Sequence, residues 1–100
     1  MSLTFGELVG IWFEERGLVM HSNPKKQITK LLEEVDELVV AINNGDLDEF
    51  KDAVGDICVV LAGMSRQYNV TFEECLDIAW NEIKDRKGHM NEEGIFVKDS

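Results

Sequence analysis

Two long helical patterns meet at Asn44-Gly45-Asp46 with no room for a loop between them. Asn44-Gly45 is a helix stop, because glycine readily takes the left-handed conformation that closes a last turn. Asp46, with Glu49 three residues on, is a helix start. A connection this short makes the flanking helices lie antiparallel and side by side. The one before it, capped by Asn23 with Pro24 at its first position, runs about twenty residues; the one after it continues to Tyr68 or Asn69.

Two further helices bracket this pair. Thr4-Phe5-Gly6-Glu7 is a capping box with Leu3 and Leu8 in the staple positions, which predicts a helix from Phe5 to Arg16 that stops at Gly17. Thr71-Phe72-Glu73-Glu74 opens a last helix, expected to end near Lys87-Gly88 with Lys84, Arg86 and Lys87 complementing the dipole in its final turn. The stretch "GLVMHSN" reads as a connecting loop. The closing "HMNEEGIFVKDS" reads as a tail, with a turn signal at Asn91–Gly94 and a β-prone piece, Ile95–Val97, that would close a small hairpin. Without repeats or linkers, the expectation is a single all-α domain over 1–100, a four-helix bundle with a short C-terminal tail or hairpin.

Charge narrows the partners. Twenty acidic residues against ten basic ones give a formal charge of −10, which argues against binding the phosphates of a nucleic-acid duplex. An anionic ligand would instead arrive with a divalent cation. No apolar run approaches the ~20 residues of a membrane span, and the N-terminus lacks the order of a signal peptide, so a cytoplasmic protein without membrane contact is expected. Cys58 and Cys75 lack any metal-ligand or disulfide spacing and read as reduced core fillers. His21 and His89 are single and far apart, which speaks against a His-based metal site.

One charge interrupts the apolar helix Ala53–Met64: Asp56. A helix that is apolar all round is normally enclosed by others, and a carboxylate there must lose its charge or meet a cation. In the preceding helix Ile28, Leu31, Leu32, Val35, Leu38, Val39 and Ile42 form a predicted core-facing stripe, with Glu33, Glu34 and Glu37 away from it. Asp56 lies about ten residues beyond the junction and the glutamates about ten before it, so antiparallel packing brings them level. Asp52, one turn before Asp56, joins the set. Glu33, Glu34, Glu37, Asp52 and Asp56 offer only oxygen ligands, which suit Mg²⁺ or Mn²⁺. The competing accounts are a salt bridge from Asp56 to Lys30, a protonated Asp56, and a plain solvated acidic face.

These residues resemble a known family. "KLLEEVDEL", Lys30–Leu38, contains Glu-Glu-x-x-Glu, and "VGDICVVL", Val54–Leu61, resembles the Gly-Asp segment of the following Glu-x-x-Asp motif of the all-α nucleoside triphosphate pyrophosphohydrolases. The nearest likeness is to small MazG-like proteins; dimeric dUTPases and phosphoribosyl-ATP pyrophosphohydrolases are more distant. It extends from Trp12 to Val97, through "WNEIKDRKG" and "GIFVK". The resemblance implies Mg²⁺-dependent hydrolysis of a (deoxy)nucleoside triphosphate to the monophosphate and pyrophosphate, a role in nucleotide-pool housecleaning, and a homodimer or homotetramer.

Carried over, Glu33, Glu34, Glu37 and Asp56 match the metal positions, and either Glu34 or Glu37 would polarise the attacking water. One position departs: the motif asks for Glu where this chain has Ala53, and Asp52 stands beside it. Candidate substrate contacts are Lys30, Asn81, Lys84, Lys87 and Trp12, although a tryptophan at helical spacing among Leu, Ile and Phe, as at Trp12 and Trp80, is more often core. The alternative is a catalytically impaired nucleotide-binding or helical interaction module.

Overall fold

The computed structural model describes residues 2–99 as α1 (Phe5–Glu15), α2 (Leu18–His21), α3 (Pro24–Asn44), α4 (Leu47–Gln67), α5 (Phe72–Ile83) and a hairpin of β1 (Gly88–Met90) with β2 (Phe96–Lys98). The four long helices begin where the sequence marks them. Thr4 and Glu7 bond reciprocally, each at 3.1 Å. Asn23, Asp46 and Thr71 each accept an amide of the first turn at 3.0–3.1 Å, satisfying a donor that has no partner within its helix. Gly45 takes φ 63° and donates its N–H to Ala41 and Ile42, so α3 stops at Asn44 and α4 starts at Leu47 with only Gly45 and Asp46 between them.

Three details of the secondary structure differ from the sequence reading. "GLVMHSN" holds a single helical turn, α2, too short to show a period, with Leu18 and Val19 packed on the core. α5 ends at Ile83, and no basic residue lies in its last turn. Residues 84–87 lead from α5 into β1, and a turn in which Gly94 donates to the Asn91 carbonyl and Asn91 to the Ile95 carbonyl reverses the chain, pairing Gly88 with Lys98, His89 with Val97 and Met90 with Phe96. The tail is therefore a hairpin, its second strand one residue later than predicted.

α4 is the central rod and packs against α1, α2, α3 and α5. Its contact with α1 forms a small core of Val9, Phe13 and Ala62, flanked by Leu18, Val19, Val59 and Phe72. Gly63 permits this approach, since a Cβ there would overlap the Phe13 ring. Around the core, Arg66 grips Glu14 Oε1 through Nε and Nη2 at 2.8 and 2.6 Å. Glu73 of α5 accepts from Thr4 Oγ1 and Gly6 N, both at 3.0 Å, and ties α5 to the start of α1.

α3 turns a different face to α4 than its hydrophobicity suggests. Gln27, Leu31, Glu34, Leu38 and Ala41, at spacings of four and three, are its less exposed positions. Ile28, Leu32, Val35, Val39 and Ile42, expected in the core, are exposed on the outside. α4 carries a second such seam with Leu47, Phe50, Val54 and Leu61 exposed. Trp80 and Cys75, read as core fillers, are likewise exposed. No helix among the described residues is long and apolar enough to cross a membrane.

Candidate metal and nucleotide site

Glu34 lies on the inner stripe of α3, between Leu31 and Leu38, and is 4 % exposed. Opposite it α4 presents Asp56, half-buried, and one turn along α3 stands the exposed Glu37. One oxygen from each of these three carboxylates lies within 4.8 Å of the others. Carboxylates this close repel unless protons or a cation intervene.

The protonation pattern follows. Lys30 Nζ stands 3.1 Å from Glu34 Oε1, and this hydrogen bond, ahead of all opposing influences, lowers the Glu34 pKa below the usual glutamate value. Hydrogen bonding to Glu34 and its charge hold Glu37 above that value. Burial pushes Asp56 up, helped by the charges of Asp52 and Glu34. Lys30 is raised in turn, chiefly by its bond to Glu34.

A hard divalent cation fits this group on two grounds. The donors are all carboxylate oxygens, and among the described residues Glu34 Oε2 is enclosed without a hydrogen-bond partner. An oxygen left so would cost free energy that a cation recovers.

The other predicted ligands stand apart from this trio. Glu33 is exposed and makes a 3.6 Å ion pair with Lys30. Asp52 is exposed and acts on Asp56 through its charge. Ala53, where the motif asks for Glu, is 2 % exposed, one turn from Asp56 toward the junction. Lys30 pairs with Glu34 and Glu33, not with Asp56 as one reading allowed.

Of the substrate candidates, Lys30 and Trp12 share one depression of about 320 Å³, whose walls include Phe13, Leu18, Val59 and Val60. Arg16 lies over the Trp12 ring at 4.1 Å and donates to the Trp12 carbonyl. Asn81, Lys84 and Lys87 are not brought there: α5 packs on α1 and α4 but not on α3. Lys87 lines a separate mixed-charge depression with Arg86, Lys98, Glu82, Asp85 and Asp99. Gln27, also in the wall beside Lys30, was missed; the available signal was its position two turns before Glu34 on the same face.

Comparison with known proteins finds relatives of this chain. The profile of the phosphoribosyl-ATP pyrophosphohydrolase family matches residues 13–87. An uncharacterised 18.2 kDa protein from the rep-hol intergenic region of Haemophilus phage HP1 is 39% identical over 59 residues, covering 59% of this chain and 36% of the phage protein. An uncharacterised protein of Acanthamoeba polyphaga mimivirus is 34% identical over 73 residues, 70% of this chain and 28% of its own length. The chain thus spans about a third of the length of these curated relatives. No solved structure matches it.

Proposed function

Since the chain belongs to the phosphoribosyl-ATP pyrophosphohydrolase family, within the all-α nucleoside triphosphate pyrophosphohydrolase superfamily, we propose that it hydrolyses nucleoside triphosphates to the monophosphate and pyrophosphate. The observation that carries this reading is the meeting of Glu34, Glu37 and Asp56 across two antiparallel helices, with an enclosed and unpartnered oxygen on Glu34.

In this reading Glu34, Glu37 and Asp56 would hold Mg²⁺ or Mn²⁺, which would offset the charge of the phosphates and of the leaving pyrophosphate. Glu37, the exposed member of the trio, orients a water and takes its proton. The water oxygen bonds to phosphorus as the bond to the α–β bridging oxygen breaks. Pyrophosphate leaves, and the proton passes from Glu37 to solvent. Lys30 holds Glu34 ionised and faces the depression in which Trp12 would stack on the base. The branch we favour is the MazG-like one, acting on canonical or damaged (deoxy)nucleotides in the cytoplasm as a housecleaning enzyme.

The acting species is a homodimer or homotetramer. Its support is the outer seam of α3 (Ile28, Leu32, Val35, Val39, Ile42), spaced four and three like a helix–helix seam, beside a second seam on α4. The radius of gyration agrees: 16.1 Å here, against ~13 Å for a compact chain of this length.

The test is pyrophosphate release from a panel of NTPs and dNTPs with Mg²⁺ or Mn²⁺, with phosphoribosyl-ATP as the contrasting substrate. Release from at least one triphosphate is expected; hydrolysis of phosphoribosyl-ATP alone overturns the substrate assignment. A second reading, a nucleotide-binding module, draws on buried Ala53 in place of the motif glutamate. It predicts thermal stabilisation by nucleotides without turnover.

A further inference from the structure

The depression beside the carboxylates contains more than a hydrophobic wall. Its polar side chains are Lys30 and Gln27, and the Lys30 ammonium is already bonded to Glu34 and Glu33. Gln27 is different. Its Nε2 donates to Ser22 Oγ at 3.0 Å, and among the described residues Oε1 has no protein partner. One acceptor and one N–H are therefore free, in an orientation that Ser22 sets from the end of α2.

The position fits a base. Gln27 precedes Glu34 by two turns on the inner face of α3, a rise of about 10 Å, close to the reach from the base to the phosphates of a nucleotide. The depression, about 320 Å³, is at the small end of ligand pockets, which suits a base with its phosphates outside toward Lys30 and Glu34. Its walls, Trp12, Phe13, Val59 and Val60, offer stacking and apolar contact that every base satisfies alike, so discrimination falls to the amide.

Resting on the nucleotide-hydrolase reading, we propose that Gln27 determines base preference by hydrogen bonding to the base edge, and that Ser22 is its positioning residue. A partly buried amide covered by a base that offers it no partner loses its bonds to water, so the wrong base is disfavoured through binding.

The experiment uses the full chain. Dissociation constants for the four deoxynucleoside monophosphates are measured by calorimetry in EDTA, and kcat and KM for the triphosphates in Mn²⁺. The wild type should prefer one base. Gln27→Ala and Ser22→Ala should narrow that preference by about three- to tenfold, acting on KM more than on kcat, with the Mn²⁺-induced melting shift retained. Gln27→Glu, which accepts but does not donate, should shift preference toward bases that present an amino group. Absence of base preference in the wild type, or its full retention in Gln27→Ala and Gln27→Glu, overturns the proposal. If no triphosphate is hydrolysed, the enzyme reading fails, while the monophosphate constants still decide the role of Gln27.

Discussion

Lys30 and Glu34 share one short bond, 3.1 Å from Nζ to Oε1, and the second oxygen of the same carboxylate is enclosed and unpaired. The lysine keeps Glu34 ionised where burial would neutralise it, and the spare oxygen is what a cation would take. Removing charge at Glu34 therefore separates this trio from an ordinary acidic surface. Glu34→Gln and Asp56→Asn should each abolish the Mn²⁺-dependent rise in melting temperature and lower pyrophosphate release by about a hundredfold or more. Glu33→Gln, which removes only an exposed pair with Lys30, should change both less than about threefold. Equal losses at positions 33 and 34 would sink the assignment.

Protons and cations compete for the same oxygens. Glu37 and Asp56 titrate above their usual values, so in EDTA their contribution to stability is full below those values and is lost as pH rises through the raised ones. Glu34 is shifted down and stays ionised throughout that interval, so it does not oppose the trend. Metal-free protein should melt higher near about pH 5 than near about pH 7, and saturating Mn²⁺ should flatten the difference. Glu37→Gln combined with Asp56→Asn should remove the slope in EDTA. A slope unchanged in that double variant would locate the titration elsewhere.

Ala53 tests the completeness of the site. It is 2 % exposed, so Ala53→Glu places a carboxylate inside the fold and should lower the melting temperature in EDTA. With Mn²⁺ the variant should recover and show a larger cation-induced shift than the wild type, because a fourth carboxylate joins the trio. Asp52→Asn should leave the shift nearly intact. Loss of the shift in Asp52→Asn would make the exposed aspartate the working ligand.

The packing of α1 on α4 is tested at Gly63, where a Cβ would meet the Phe13 ring. Gly63→Ala should destabilise by about 1–3 kcal/mol in denaturant unfolding, the usual range for overpacking. Gly55 lies in the same helix with nothing within 4 Å of its Cβ direction. Gly55→Ala should stabilise by about 0.5–1 kcal/mol. The opposite pair of signs would mean that another surface covers Gly55 and that Phe13 yields.

The outer seam predicts the assembly. Light scattering of the wild type should give a dimer or tetramer mass, and Val35→Glu with Val39→Glu should shift it toward the monomer. A monomeric wild type would leave α3's apolar seam unexplained.

Much of this architecture is legible in the chain because its signals are local. Thr4, Asn23, Asp46 and Thr71 each bond within the first turn they open, and Gly45 stops a helix by its own backbone freedom. Which face of α3 meets α4 is not local. Ile28, Leu32 and Val35 outrank Gln27, Leu31 and Glu34 in hydrophobicity, yet the second set turns inward. A sequence displays both stripes without saying which neighbour each one meets. The same ambiguity grouped Glu33 with Glu34, although one residue of rotation, about 100°, sends Glu33 to solvent and Glu34 to the interior. α2 and the early end of α5 depend on what the chain does next, packing Leu18 on the core and pairing Gly88 with Lys98.

The two-residue link, Gly45 and Asp46, also bears on the order in which the site can assemble. Glu34, Glu37 and Asp56 all belong to one contiguous hairpin, so closing that hairpin gathers them before α1, α5 or the terminal strands need to dock. Contacts so near in sequence form fast. The cluster is thus a modular cassette: drift or replacement at either terminus would retune what it accepts while the acidic hinge stays whole.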